Sequence, residues 1–375
     1  MFKTLFVLIL VTVALSTVAL STSASSETHG DNAPAYSIDT IVEGLNFPWS
    51  LAFLPNGDML ITELAGSLRL VKNGLLLDQP ISGVPDVYHA GQGGLMDVVV
   101  DKDFSTNRKI YLSLSHGTRN GNGTRLISAT LQNIELSNIE ILFTALPLKK
   151  TGAHYGGRIA QMQDGSLLLT VGDGFNYREQ AQMLDSHLGK IIRIDQDGQA
   201  PPDNPWQGVA GALPELWSIG HRNEQAILVT PAGVVYEHEH GPEGGDEINR
   251  IEAGNNYGWP AITNGIDYDG ASITPYTEYP GMEQPLVDWT PSIAPSGMTF
   301  YTGQQFPQWQ GDLLAVSLKQ HSVRRIELQD GNPVSDTQVL PELNQRLRDI
   351  RTGPDGALYI LTDGKNGKLL RVSHN

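Results

Sequence analysis

A histidine and an aspartate bracket the stretch from Thr151 to Gly174, which reads TGAHYGGRIAQMQDGSLLLTVGDG. His154 stands near its start and Asp173 near its end. A neutral imidazole aimed by a carboxylate is a general base, able to take the proton of a hydroxyl near neutral pH. The same two residues can also be a buried histidine tied to a neighbouring loop, and this stretch alone leaves both readings open. In HAGQGGLMDV, Gln92 sits among Gly91, Gly93 and Gly94. There the backbone can approach a ligand closely and the amide can bond it, unless the glycines only mark a bulge. In ELWSIGHRNEQ, Arg222 and Asn223 follow an apolar run and Gly220. A guanidinium beside an amide suits anionic or carbonyl oxygens, the alternative being a surface ion pair with Glu224 or another acid.

SLKQHS and NQRLRDI contribute Lys319, Arg346 and Arg348. The alternating arginines point to one face of a strand, so with the lysine they make a grip for carboxylates or a set of structural ion pairs. The segment YEHEHGPEGGDEIN gathers Glu237, His238, Glu239, His240, Glu243, Asp246 and Glu247 around Gly241-Pro242. So many acids beside a turn suggest oxygen ligation of a hard cation such as calcium. Zinc is the rival, but His238 and His240 on one face lack a clear third ligand.

These residues need elements to hold them. RIAQM and SLLLTV flank Asp164-Gly165, which predicts a hairpin with a tight two-residue turn. That register sets Tyr155 opposite Gly174 and Asp173 opposite Gly156, and places His154 diagonal to Asp173. The hairpin phrase recurs. PNGDMLITELAGSLRLV begins at Pro55, QDGSLLLTVGDG at Gln163, PAGVVYEHEHG at Pro231 and PDGALYILTDGKNGKLLRV at Pro354. The shared glycines, Gly57, Gly165, Gly233 and Gly356, are 108, 68 and 123 residues apart, and two of these steps are long enough for two units each. About six repeats follow, in an all-β chain with little helical periodicity. Radial four-stranded antiparallel units of this length are blades, so the expected fold is a six-bladed β-propeller. The Gly/Tyr/Pro-rich stretch from Asn255 to Pro285 reads as a long loop on its binding face.

The 375 residues begin with Lys3, the apolar run Leu5–Leu15 and small residues around Ser21–Ser26. Residues 1–24 read as a cleavable signal peptide, 25–35 as a flexible N-terminal segment and 36–375 as a single propeller domain, with export to the periplasm or medium. A membrane anchor fits less well, because Thr12, Ser16 and Thr17 interrupt the run and no basic flank follows. The chain has no cysteine, so disulfides contribute nothing to its stability. Loss of Lys3 lowers the 25 basic residues to 24 against 41 acidic ones, a net charge near −17. Such a surface repels nucleic acid and anionic membranes and favours calcium or a neutral small molecule as partner.

Taken in order, GLNFPWSLAFLP, GQGGLMDV, HYGGRI, GDG, IGHRN, HGPEGGDEIN, APSG, SLK and RLRD resemble the glucose/sorbosone dehydrogenase family, in particular its soluble aldose sugar dehydrogenases that use pyrroloquinoline quinone. The resemblance runs from about Val42 to Val372, and that family's fold is a six-bladed propeller. It implies that His154 is the general base, that Asp173 orients it, and that Arg222 polarises the quinone carbonyl. It implies that Gln92, Arg222, Asn223, Lys319, Arg346 and Arg348 hold the cofactor. It further implies that Gly241 and Pro242 offer carbonyls to a calcium on that cofactor, and that Glu247 and Tyr257 ligate a second, structural calcium; Asp246 matches an acid near the same place. The implied reaction oxidises an aldose at its anomeric carbon to an aldonolactone, with an external electron acceptor and a monomer or weak dimer as the working form. Ala153 replaces an acid of the glucose-oxidising members, and Leu286 with Asp288-Trp289-Thr290 does not reproduce their aromatic wall, which points to broad aldose use. A calcium-dependent propeller lactonase and a secreted glycan- or protein-binding propeller are the alternatives; the first does not explain the Lys319, Arg346 and Arg348 grip, and the second leaves the His154 and Asp173 pairing without work.

Overall fold

The four recurring glycine phrases fold into one and the same hairpin loop. In each, two backbone bonds close a three-residue loop: Leu54 with Asp58 and Gly57, Met162 with Ser166 and Gly165, Thr230 with Val234 and Gly233, Gly353 with Ala357 and Gly356. The glycines have φ of 87°, 92°, 84° and 78°, the left-handed conformation that ends a type I turn with a bulge. The expected two-residue turn at Asp164-Gly165 is therefore corrected to a three-residue loop, Gln163-Asp164-Gly165. Ile159 pairs with Leu169 and Gln161 with Leu167, which moves the register by one residue.

The computed structural model describes Met1 and residues 36–375. The remainder of the expected signal peptide, and the segment 25–35, lie outside the described residues. From Tyr36 to Asn375 the chain is six four-stranded antiparallel sheets. The first strands of the sheets, Pro48–Phe53, Leu95–Val100, Ile159–Gln161, Glu224–Val229, Pro295–Phe300 and Leu347–Thr352, line the central axis. The six-bladed β-propeller read from the repeats is the observed fold. The phrase marks the loop between first and second strands in blades 1, 3, 4 and 6. Blade 2 replaces it with a helical turn, Phe104–Asn107, ended by Arg108 at φ 57°, and blade 5 with a 3-10 turn at Pro307–Trp309.

The outer strand of blade 6 comes from the other end of the chain. Tyr36–Leu45 pairs with Gly367–His374, Tyr36 opposite His374 and Leu45 opposite Gly367. This strand closes the ring and covers what would be an open sheet edge. Apolar faces pack blade against blade in six clusters, one per interface, such as Leu60, Leu68, Leu95 and Leu112 between blades 1 and 2, and Leu45, Ile61 and Leu361 between blades 6 and 1. Each blade thus buries both faces, which explains continuously buried, mostly apolar strands such as Leu167–Val171.

One charged side chain joins the blades at the axis. Arg158, fully buried, donates to Asp349 Oδ1 at 3.1 Å, to the Ser296 carbonyl at 2.6 Å and to the Gln225 carbonyl at 2.6 Å. Its guanidinium lies 4.0 Å from the Trp49 ring and 3.7 Å from Asp97. It therefore touches every blade but its own, and the two aspartates compensate its burial.

Candidate active site

Chain segments that enter a first strand or leave a second strand meet at the same end of an antiparallel propeller. His154 precedes the first strand of blade 3, and Asp173 follows its second strand, Leu167–Val171. The ladder stops below them: Gly156 and Gly157 turn to φ 62° and 91°, and His154 itself sits at φ 51°. A Cβ at Gly172 would fall 2.6 Å from the His154 carbonyl, so only glycine allows this approach. The result is direct contact, His154 Nδ1 to Asp173 Oδ1 at 2.7 Å, in place of the diagonal expected from an undisturbed ladder.

A carboxylate only accepts, so His154 Nδ1 carries the proton and Nε2 presents its lone pair. Asp173 Oδ1 also accepts from the Phe175 N–H at 2.7 Å, and Oδ2 from Trp259 Nε1 at 2.8 Å. Burial by itself would raise the Asp173 carboxyl, but the bond from His154, the charges around it and the Phe175 amide hold it below its usual range. Burial pushes the His154 imidazole down despite Asp173, and the Arg222 charge adds to that effect. The pair is a neutral base on an ionised carboxylate.

Two contacts of His154 each line a cavity. Its backbone N–H is held by Gln92 Oε1 at 2.7 Å, and Gln92 lines a cavity of about 300 Å³ over the axis with Trp49, Asn223, His240, Arg346 and Arg348. Its ring meets Phe175 edge-on at 5.1 Å, and Phe175 lines a second cavity of about 440 Å³ with Arg222, Trp259, Asp267 and Tyr268. Phe175 and Tyr268 are partly exposed and near-parallel at 6.3 Å. The long loop between the third and fourth strands of blade 4 supplies Trp259 and Tyr268, as expected of the stretch Asn255–Pro285.

The structure brings together most of the expected cofactor residues. Asn223 is buried and its Oδ1 accepts from the Gly156 N–H at 3.3 Å. Arg346 and Arg348 share Asp363, at 2.8 and 3.3 Å, a carboxylate that the sequence did not single out. Lys319 is exposed, one residue beyond Leu318, which lines the first cavity. Arg222 donates to the carbonyls of His240 at 3.0 Å and Gly241 at 2.6 Å. Arg222 is itself buried, and Glu224 is fully buried with neither oxygen bonded among the described residues, so a surface ion pair does not describe it. Among the described residues the buried Nε atoms of Arg222 and Arg348 have no acceptor, which an anionic guest beside them would provide.

The expected metal residues fall in blade 4. Gly241 and Pro242 are buried in the turn after its second strand, where Asp246 accepts from the Gly241 N–H at 2.9 Å and from the Ala294 N–H of blade 5 at 2.7 Å. That gives Asp246 a structural role. The hydroxyl of Tyr257 bonds the Arg250 carbonyl at 2.7 Å and the Glu252 N–H at 2.8 Å, so its backbone carbonyl is what it offers a cation. Glu247 belongs to a buried ladder that the sequence did not reveal: Glu224, Glu239 and Glu247 face one another across three strands, with Glu237 beside them opposite Asn249. Burial and mutual repulsion push the Glu224, Glu237 and Glu247 carboxyls well up. His221, Glu237 and Glu239 converge within 4.8 Å, and Glu237 Oε2 and Asn249 Oδ1 have no partner among the described residues. An oxygen-rich, unbalanced pocket of this kind fits a hard cation. His240 instead bonds the Pro295 carbonyl at 2.6 Å through Nε2, which excludes that atom from a zinc site.

Relatives share this architecture. The sequence pattern described as glucose/sorbosone dehydrogenase matches residues 45–371. The aldose sugar dehydrogenase YliI of Escherichia coli is 42% identical over 349 residues, covering 91% of this chain and 94% of its own. The crystal structure of the soluble aldose sugar dehydrogenase from Escherichia coli in the apo-form superposes with a TM-score of 0.86 at 41% identity, over 91% of this chain and 100% of that one. The pyrroloquinoline-quinone-bound aldose sugar dehydrogenase of Streptomyces coelicolor does so with a TM-score of 0.75 at 26% identity, over 91% and 99%. With the propeller and the match along nearly its whole length, the chain belongs to the glucose/sorbosone dehydrogenase family of sugar-oxidising enzymes.

Proposed function

We propose that the protein is an exported aldose dehydrogenase that oxidises the anomeric carbon of aldose sugars to aldonolactones, with pyrroloquinoline quinone as cofactor. The observation that carries this reading is the place of His154: an oriented neutral base whose contacts Gln92 and Phe175 line, respectively, a cavity shared with Arg346, Arg348 and Asn223 and one walled by aromatic rings. The first cavity suits a flat polyanion. Arg346 and Arg348, with Lys319 next to the lining Leu318, offer charge to carboxylates, Gln92 and Asn223 offer amides, and the bare Nε atom of Arg348 offers a further donor. The second suits a sugar, whose apolar ring face stacks on Phe175 or Tyr268 while its hydroxyls reach Asp267 and Arg178.

When bound, the quinone supplies a two-electron acceptor for the anomeric hydrogen. The chain supplies the proton chemistry. His154 Nε2 takes the proton of the anomeric hydroxyl as the C–H bond breaks and the C=O bond forms, and Asp173 stabilises the imidazolium that results. Arg222, on the wall of the second cavity, places positive charge close to His154, where negative charge develops on an oxygen. The turn carbonyls of Gly241 and Pro242 suit a calcium beside the cofactor, and Glu247 with the Tyr257 carbonyl a second one. Electrons then pass to an external acceptor.

The test is dye reduction by purified protein given pyrroloquinoline quinone, calcium and a panel of aldoses. Absence of turnover with every sugar, in protein shown to be folded, refutes the assignment. His154→Ala is expected to abolish turnover while retaining the cofactor.

A further inference from the structure

Lys149 is almost wholly buried, 1% exposed, and pairs with no carboxylate among the described residues. Its ammonium donates to the Ala153 carbonyl at 2.8 Å, the Thr151 carbonyl at 3.0 Å and Asn122 Oδ1 at 3.4 Å, and lies 3.3 Å from the centre of the Tyr155 ring. Asn122 Oδ1 also accepts from the Tyr155 hydroxyl at 2.7 Å, which makes one network around the residues on both sides of His154. An ammonium placed in the interior requires compensating bonds, and these four groups supply them.

The peptide between Ala153 and His154 is thereby gripped at both ends, its carbonyl by Lys149 and its N–H by Gln92 at 2.7 Å. His154 needs such a grip, because φ of 51° is a conformation that a histidine leaves readily when unconstrained. The same lysine underlies the other arm of the pair: a Cβ on Gly174 would fall 2.7 Å from its Cδ, and Thr151 Oγ donates to the Gly174 carbonyl at 2.6 Å.

We propose that Lys149 is the positioning residue of the catalytic base, clamping the Ala153–His154 peptide so that the imidazole stays on Asp173 with Nε2 directed at the substrate. The proposal rests on the reading of His154 as the base. Burial lowers the Lys149 ammonium to about 7, with the Asp173 charge opposing it, as expected of a group held by geometry rather than by solvation.

Lys149→Met tests the clamp in two ways. In apoprotein labelled with ¹⁵N-histidine, the Nδ1 proton shared with Asp173 gives a far-downfield signal, assigned by its disappearance in His154→Ala. Loss or broadening of that signal in Lys149→Met, with the other histidine signals in place, is the expected result. In loaded enzyme kcat is expected to fall about 10- to 100-fold, the scale of a small misplacement of a reacting group, while KM for the sugar stays within about threefold. A Lys149→Met protein that melts at a lower temperature yet keeps the signal and kcat overturns the proposal, since a merely structural lysine would behave so. If that variant does not fold, Lys149→Gln, which keeps one donor, is expected to show a weakened signal and an intermediate kcat; wild-type values in both overturn the proposal. Turnover that survives in His154→Ala overturns the base and the clamp together. An inactive His154→Ala beside a wild-type Lys149→Met overturns the clamp alone.

Discussion

Replacing Asp173 by asparagine changes one atom and the charge, yet three donors converge on that carboxylate: His154 Nδ1 and the Phe175 N–H on Oδ1, Trp259 Nε1 on Oδ2. The asparagine oxygen can serve the Oδ1 position, but its NH₂ then faces the Trp259 N–H across 2.8 Å, two donors with no acceptor. The flipped amide instead sets its NH₂ against His154 and Phe175. Either choice leaves buried donors unmet, a cost of about 1–3 kcal/mol in stability. The flipped amide also favours the tautomer with the proton on Nε2, which removes the base, and both lose the charge that stabilises the imidazolium. General-base catalysis contributes roughly 10²–10⁴-fold, so Asp173→Asn is expected to lower kcat by about that factor with little change in cofactor affinity. Steady-state dye reduction, with cofactor binding measured separately by fluorescence, is the assay. A folded Asp173→Asn enzyme with kcat within fivefold of the wild type refutes the pairing as the source of activity.

Arg158→Met removes the charge that touches five other blades and leaves Asp97 and Asp349 without it; urea unfolding is expected to show a loss of about 3–5 kcal/mol. For the acid ladder of blade 4, chelation is expected to lower the melting temperature and calcium to restore it, and Glu237→Gln to reduce that dependence by removing one of the mutually repelling charges. A melting temperature indifferent to chelator and to calcium removes the cation from the fold. Because burial depresses the His154 imidazole, its neutral form persists below the ordinary histidine value of about 6.5. The acid limb of kcat/KM is therefore expected to fall below that pH, with activity full above it and lost as pH drops through the lowered value; a limb above 6.5 contradicts the geometry.

The blade count was legible because a hairpin loop is local chemistry: a glycine at positive φ after Asn, Asp or Ala recurs wherever the chain must turn in the same way, so Gly57, Gly165, Gly233 and Gly356 mark four blades by themselves. Blades 2 and 5 carry other turns and had to be inferred from spacing. Side chains with strong chemistry, His154, Asp173, Arg222, Arg346 and Arg348, were legible by type and company. Their meeting was not. The one-residue register shift and the left-handed turn at His154 are local details of backbone geometry, while the closure of the ring by Tyr36–Leu45 and the convergence of five blades on Arg158 join residues far apart in the chain. Trp259 reaches Asp173 only when blades 3 and 4 pack together, while Asp363 beneath the two arginines and Glu224 facing Glu239 depend on the register of hairpins within blades 6 and 4. Local sequence thus determined which turns and which reactive groups the chain possesses. Packing of apolar faces, a non-local force without direction of its own, decided which of those groups share a cavity.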